Sequence, residues 1–126
     1  MPSTAPPRTL SPCPRTPNCV STQSPDAARR MEPLPYGDLA EARARLLAVL
    51  AAAPRAKVVT VEEGYVHAEF RSALFHFVDD VEFLFDEPAH RLHFRSASRL
   101  GRSDFGVNRK RMEELGREFL KRAPRR

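Results

Sequence analysis

The sequence predicts an α+β domain: a two-layer α/β sandwich whose four-stranded antiparallel sheet carries two helices on one face, in the order α-β-β-β-β-α, behind an extended Pro-rich N-terminal segment. Three observations lead there. A stripe of apolar residues at helical spacing follows Asp38, the apolar period then drops to two through residues 58–96, and a second helical stripe closes the chain. With 126 residues and 14.2 kDa there is room for one core of this kind and no second large one.

Each element has a local signature. Residues 1–10 read as a flexible tail, and 11–37 as an extended segment packed on the domain, because nine of the twelve prolines fall within residues 1–37 and nine of the ten aromatics lie from Tyr65 onward. Asp38-Leu39-Ala40-Glu41 is a capping box, with Asp38 accepting a backbone N–H of the first turn and Glu41 reaching back. Leu39, Ala42, Leu46, Val49, Leu50 and Ala53 then form a stripe, with Arg43 and Arg45 pointing away from it, until Pro54 stops the helix. Glu63-Gly64 reads as a two-residue hairpin turn in which Gly64 takes a positive φ, pairing Val61 with Val66 and Val59 with Ala68. A second hairpin turns at Glu87-Pro88-Ala89-His90. Setting Asp86 opposite Arg91 brings Phe83 opposite Phe94 and Glu82 opposite Arg95. The link from Ser72 to Asp79 fits a strand extension or a helical turn equally well. The last helix spans Val107 to Arg122, with Met112, Leu115 and Phe119 on its apolar side. Residues 123–126 form a basic tail.

Composition excludes several classes. The longest apolar run, Leu46 to Ala53, is too short to span a bilayer. No apolar run opens the chain as a secretory signal would, so the cytoplasm is the default expectation. Net charge is +5, and the excess is C-terminal: residues 99–126 hold ten Lys or Arg against four Asp or Glu. That balance attracts anions, but no aromatic is interleaved with the basic tail and no nucleic-acid module is present, so no specific nucleic-acid partner is expected.

Three motifs in order are similar to one known family. They are Cys13-Pro14-Arg15-Thr16-Pro17-Asn18-Cys19-Val20-Ser21; the run Tyr65-Val66-His67-Ala68-Glu69-Phe70-Arg71-Ser72 continued through Phe83; and the stretch from Arg95 to Arg111. Together they resemble the domain-of-unknown-function 1499 family, over nearly everything from Ser11 to Leu120. Arg102 stands where the family pattern has an aromatic, and His76 where it has Arg. The family carries no assigned activity. The resemblance implies one domain over 11–122 that includes Cys13–Ser21.

Candidate chemistry is sparse. Arg99, Arg102, Ser103, Asn108 and Arg109 surround a strand end and a helix N-terminus, where free N–H groups and guanidinium forks favour an anion. With Arg71, Arg95 and Asp104 they make the leading site, a non-enzymatic corner for a small anionic ligand or a protein partner. The competing structural reading has Asp104 capping the helix and tying down Arg99 or Arg109. The alternative function is a metal-dependent or hydrolytic enzyme on the polar sheet face, built from His67, Glu69, Glu82 and His93, with Arg71 and Arg95 competing for the two carboxylates. No nucleophile elbow or phosphate-binding glycine loop is present, and no cofactor is called for. Cys13 and Cys19 fit a reduced structural pair, a disulfide, or a redox or metal role, in that order.

Overall fold

The computed structural model describes residues 9–14, 18–72, 77–99 and 106–124. Their elements run β1 (Cys19–Ser21), β2 (Leu34–Pro35), α1 (Leu39–Ala52), β3 (Ala56–Val61), β4 (Tyr65–Arg71), β5 (Val78–Asp86), β6 (Arg91–Ser98) and α2 (Val107–Lys121).

The α+β class and the antiparallel sheet are as expected, but the sheet has six strands rather than four, so the order is β-β-α-β-β-β-β-α. The main path is β1-β6-β5-β4-β3, with β2 also on β6. The two extra strands come from the Pro-rich segment. A strand bonded on one side only leaves a row of unpaired N–H and C=O groups. Strand β5 takes one side of β6; the other is closed in two short steps, Cys19–Ser21 against Arg95–Ala97 and Leu34–Pro35 against Arg91–Leu92. Between these steps the chain loops out, held by Ser21 N–H on Arg29 O and Met31 N–H on Ser21 O.

Helix α1 starts where its sequence says. Asp38 caps it by accepting the Glu41 N–H at 2.9 Å, and the helix ends two residues before Pro54. Glu41 does not reach back; its carboxylate pairs forward with Arg45 at 3.0 Å. Arg45 corrects the expectation that it points away from the apolar stripe. It is buried, donates to Phe119 O at 2.8 Å and stacks 3.9 Å from the Phe119 ring centroid, joining α1 to α2. A guanidinium with a carboxylate, a carbonyl and an aromatic face to engage tolerates such a position.

The second hairpin keeps the register read from its sequence: Asp86 faces Arg91, Phe83 faces Phe94 and Glu82 faces Arg95. The first keeps Val61 opposite Val66 but carries a bulge, so Val58 rather than Val59 faces Ala68. Val59 is the extra residue. It and Val61 stand 47% and 49% exposed on the outer strand. Gly64 does not take the positive φ expected of it; among the described residues the left-handed ones are Arg55 (59°), His90 (54°) and Gly106 (81°). The Glu63-Gly64 turn is nonetheless closed by Glu62 N–H on Tyr65 O at 2.8 Å.

Val66, Ala68, Phe70, Val81, Phe83, Phe85, Leu92 and Phe94 share one core with Leu46, Val49 and Leu50 of α1 and Met112, Leu115 and Phe119 of α2. Both helices therefore cover the same sheet face. Each fully buried side chain of this kind, Phe83 or Leu46 for example, is worth roughly 1.5–3 kcal/mol relative to exposure. Helix α2 ends one residue before the expected Arg122, and none of the described helices is long and apolar enough to cross a membrane.

Candidate functional site

The helices leave the opposite sheet face open, and the register fixes what stands there. Residues directly opposite one another share a face. Tyr65, Leu84 and His93 therefore form one row, His67, Glu82, Arg95 and Ser21 the next, Glu69, Asp80, Ala97 and Cys19 a third, and Arg71 and Val78 a fourth.

Charged side chains are cross-linked along this face. Arg99 donates from Nε to Asp80 Oδ2 at 2.8 Å, and from Nη2 to Asp80 Oδ1 at 3.0 Å and to Glu69 Oε2 at 2.7 Å. His67 Nε2 lies 2.8 Å from Asp80 Oδ1, and Arg71 Nη2 lies 3.7 Å from Glu69 Oε1. The Arg99 hydrogen bonds hold the Asp80 carboxyl below the usual carboxylate range, against its partial burial and with help from His67. The same contacts, Asp80 foremost and then Glu69, push the Arg99 guanidinium further toward its charged form. A second group sits one row away. The Tyr65 hydroxyl donates to Glu82 Oε2 at 2.6 Å, and Arg95 Nη1 lies 3.6 Å from Glu82 Oε1. Both arginine–glutamate competitions expected from the sequence are thus present, Arg71 on Glu69 and Arg95 on Glu82.

The residues of the metal alternative are brought to one face but not to one point. His67 serves Asp80, Glu69 serves Arg99 and Arg71, and Glu82 serves Tyr65 and Arg95. His93 Nδ1 lies 2.8 Å from Thr22 Oγ1, and its Nε2 lies 3.9 Å from Asp86. Among the described residues no three His, Cys, Asp or Glu side chains are placed to hold a metal ion together.

An open cavity of about 420 Å³ lies at the hairpin end of this face, with Tyr65, Leu84 and His93 along it and Glu62, Asp86 and Glu87 at its margin. Among the described residues no Lys or Arg lines it. Its charge disfavours an anion, so the basic corner must be sought elsewhere.

The leading candidates separate into three groups. Arg71 and Arg99 stand together at Glu69. Arg95 and Arg109 donate to backbone carbonyls, of Pro12 at 3.3 Å and of Ala28 at 2.8 Å. Asn108 is wholly buried: its carbonyl oxygen accepts from Ser96 Oγ at 2.6 Å and Arg111 Nη1 at 2.9 Å, and its amide donates to Asn18 O and Ser98 Oγ, both at 3.1 Å. All four hydrogen-bonding positions of that side chain are occupied. Arg102, Ser103 and Asp104 lie outside the described residues. The N-cap of α2 is Gly106, which has no side chain to act as the cap expected of Asp104.

Sequence reasoning passed over Asp80, Asp79 and Arg111. Arg111 bonds Asp79 at 2.8 Å and stacks on Phe70 while reaching Asn108. The adjacent acids Asp79 and Asp80 were the available signal: on a strand they must point to opposite faces, so each needs its own cation.

The cysteines correct the ordering drawn from the sequence, where the reduced pair stood first. Cys13 and Cys19 are joined in a disulfide, with their Cα atoms 5.7 Å apart. Segment 9–14, which carries Cys13, crosses the polar face. Ser11 N–H donates to Glu82 Oε1 at 3.2 Å, Pro12 O accepts from Arg95, and Leu10 is buried.

Fold and site together define a small α+β domain with one helix-covered sheet face and one ion-paired face strapped by its own N-terminal segment. The model of one family, described as protein of unknown function (DUF1499), matches residues 9–119, and the chain belongs to that family. No curated protein matches the sequence.

Proposed function

We propose that the domain is a binding module rather than a catalyst, and that it takes an anionic group, a carboxylate or a phosphate, at the Arg71–Arg99 pair. The observation that carries this reading is the state of those two side chains. They converge on Glu69 yet remain 50% and 49% exposed. Arg99 spends Nε and Nη2 on carboxylates, Arg71 only Nη2 at the long distance of 3.7 Å. Among the described residues Arg99 Nη1 and the remaining Arg71 nitrogens are unengaged, so their forks face solvent as donors for a planar or tetrahedral oxyanion.

Three features favour this pair over the other candidates. Asp80 and Glu69 fix the Arg99 guanidinium in place, which lowers the ordering cost of a ligand contact. Arg102 and Ser103, outside the described residues, follow three and four positions after Arg99 in the sequence and keep that stretch of chain basic and polar. The C-terminal excess of positive charge steers anions toward this half of the chain. The anion itself is a small molecule's carboxylate or phosphate, or an acidic side chain of a protein partner.

Titration calorimetry with inorganic phosphate and with succinate tests the reading. Saturable binding is expected, weakened at least tenfold in Arg99→Ala and in Arg71→Ala while the far-UV circular dichroism stays unchanged. Absence of saturable binding to either anion, or equal binding by both variants, would refute it.

A further inference from the structure

We propose that the Cys13–Cys19 disulfide is an exchangeable modification site, opened by a dithiol reductant at Cys13, and that opening it releases segment 9–14 from the Tyr65–Glu82–Arg95 group. This does not depend on the reading of the Arg71–Arg99 pair.

The two sulfurs are held in different ways. Cys19 is 4% exposed and lies within β1, paired across to Ala97 and flanked by Val20, which is part of the core. Cys13 is partly exposed and belongs to no strand. Among the described residues, segment 9–14 is anchored by burial of Leu10, by the hydrogen bonds of Ser11 and Pro12, and by the disulfide. Cutting the covalent tie leaves β1 in the sheet and removes the strongest restraint on the segment. The main core of helices and sheet contains no residue of 9–14 and is complete without it.

Access selects the point of attack. A reductant thiolate attacks Cys13 Sγ, the reachable sulfur; the S–S bond breaks as the new one forms, and the electron pair leaves on Cys19 Sγ, which takes a proton. The second thiol of the reductant attacks the mixed disulfide, freeing Cys13 as a thiolate that is protonated in turn. Two electrons and two protons reach the protein, and the dithiol leaves as its own disulfide. The uncovered surface would be polar and half-buried: the Glu82 carboxylate loses the Ser11 N–H, and Arg95 loses the Pro12 carbonyl. The thiol poise of the compartment then sets which form prevails.

The full chain is oxidised, then treated with dithiothreitol, and both forms are compared by hydrogen–deuterium exchange. The reduced form should show at least tenfold faster exchange at Ser11, whose N–H is held by Glu82, with Val66 and Phe83 still protected. A brief glutathione pulse on the oxidised form should leave an adduct on Cys13. Cys13→Ser should reproduce the reduced pattern; reduced wild type gives the same comparison if that variant does not fold. Unchanged exchange at Ser11, loss of protection throughout the sheet, or an adduct confined to Cys19 would each overturn the proposal.

Discussion

Replacing Asn108 by Leu keeps nearly the same volume and deletes four hydrogen bonds at once. Ser96, wholly buried like Asn108, loses the acceptor of its hydroxyl proton, and a buried donor left without a partner costs about 1–3 kcal/mol. The Asn18 carbonyl keeps one donor, the Ser98 N–H at 3.0 Å, and Arg111 keeps Asp79, so each loses less. Leu at 108 gains some apolar burial, but among polar neighbours. The expected net cost is about 2–4 kcal/mol, or a fall in Tm of about 8–16 °C for a chain this size. Urea and thermal unfolding followed by circular dichroism measure it. A second variant sharpens the test. Ser96→Ala removes the orphaned hydroxyl, so the double variant should be less destabilised than the sum of the two single changes, by about 1 kcal/mol or more. A cost under about 0.5 kcal/mol for Asn108→Leu, or strict additivity with Ser96→Ala, would refute the reasoning that this network ties α2 to the sheet.

Two further outcomes are expected. Because Arg99 lowers the Asp80 pKa in the fold, the stability this contributes is present above the ordinary carboxylate value near 3.9 and lost as pH falls through the lower folded value. Arg99→Gln should raise the Asp80 pKa, read by carboxyl NMR titration, and flatten the acid limb of the stability curve; an unmoved Asp80 titration contradicts the assignment. A Cβ on Gly116 would meet Leu34 Cδ2 at 3.3 Å, the end of a flexible side chain on a two-residue strand. Gly116→Ala should therefore keep most of its helix-propensity gain and stabilise by up to about 1 kcal/mol in urea unfolding, whereas Gly116→Val should lose it to overpacking.

What could be read from the sequence was whatever neighbours in the chain decide among themselves. Asp38 and Glu41 mark a helix start three residues apart, and Phe83 to Phe94 is one hairpin whose alternation admits a single register. The bulge at Val59 escaped because apolar residues run on through Val58, Val59 and Val61, and pattern alone does not say which of two adjacent valines is extra. Strands β1 and β2 escaped for another reason. Three and two residues carry no period, and the demand that makes them strands, the open side of β6, lies some seventy residues downstream. Arg45 likewise takes its meaning from Phe119, and Asn108 from Ser96 and Asn18. At the candidate site the arginines were visible as a basic cluster. Their division into two half-open side chains and others bound to protein acceptors depends on Asp80, Glu69 and two backbone carbonyls that no spacing rule connects to them.

The closing of β6 by the chain's own beginning sets a schedule for synthesis. Val20 meets Ser96, a partner that leaves the ribosome 76 residues later. At about 5–20 residues per second the N-terminal segment waits roughly 4–15 seconds for its place in the sheet. A stretch crowded with proline and poor in aromatics stays hydrated during that interval, because it has little apolar surface to misplace. The composition that hides these strands from a reader also keeps the newborn chain out of trouble until the last hairpin arrives.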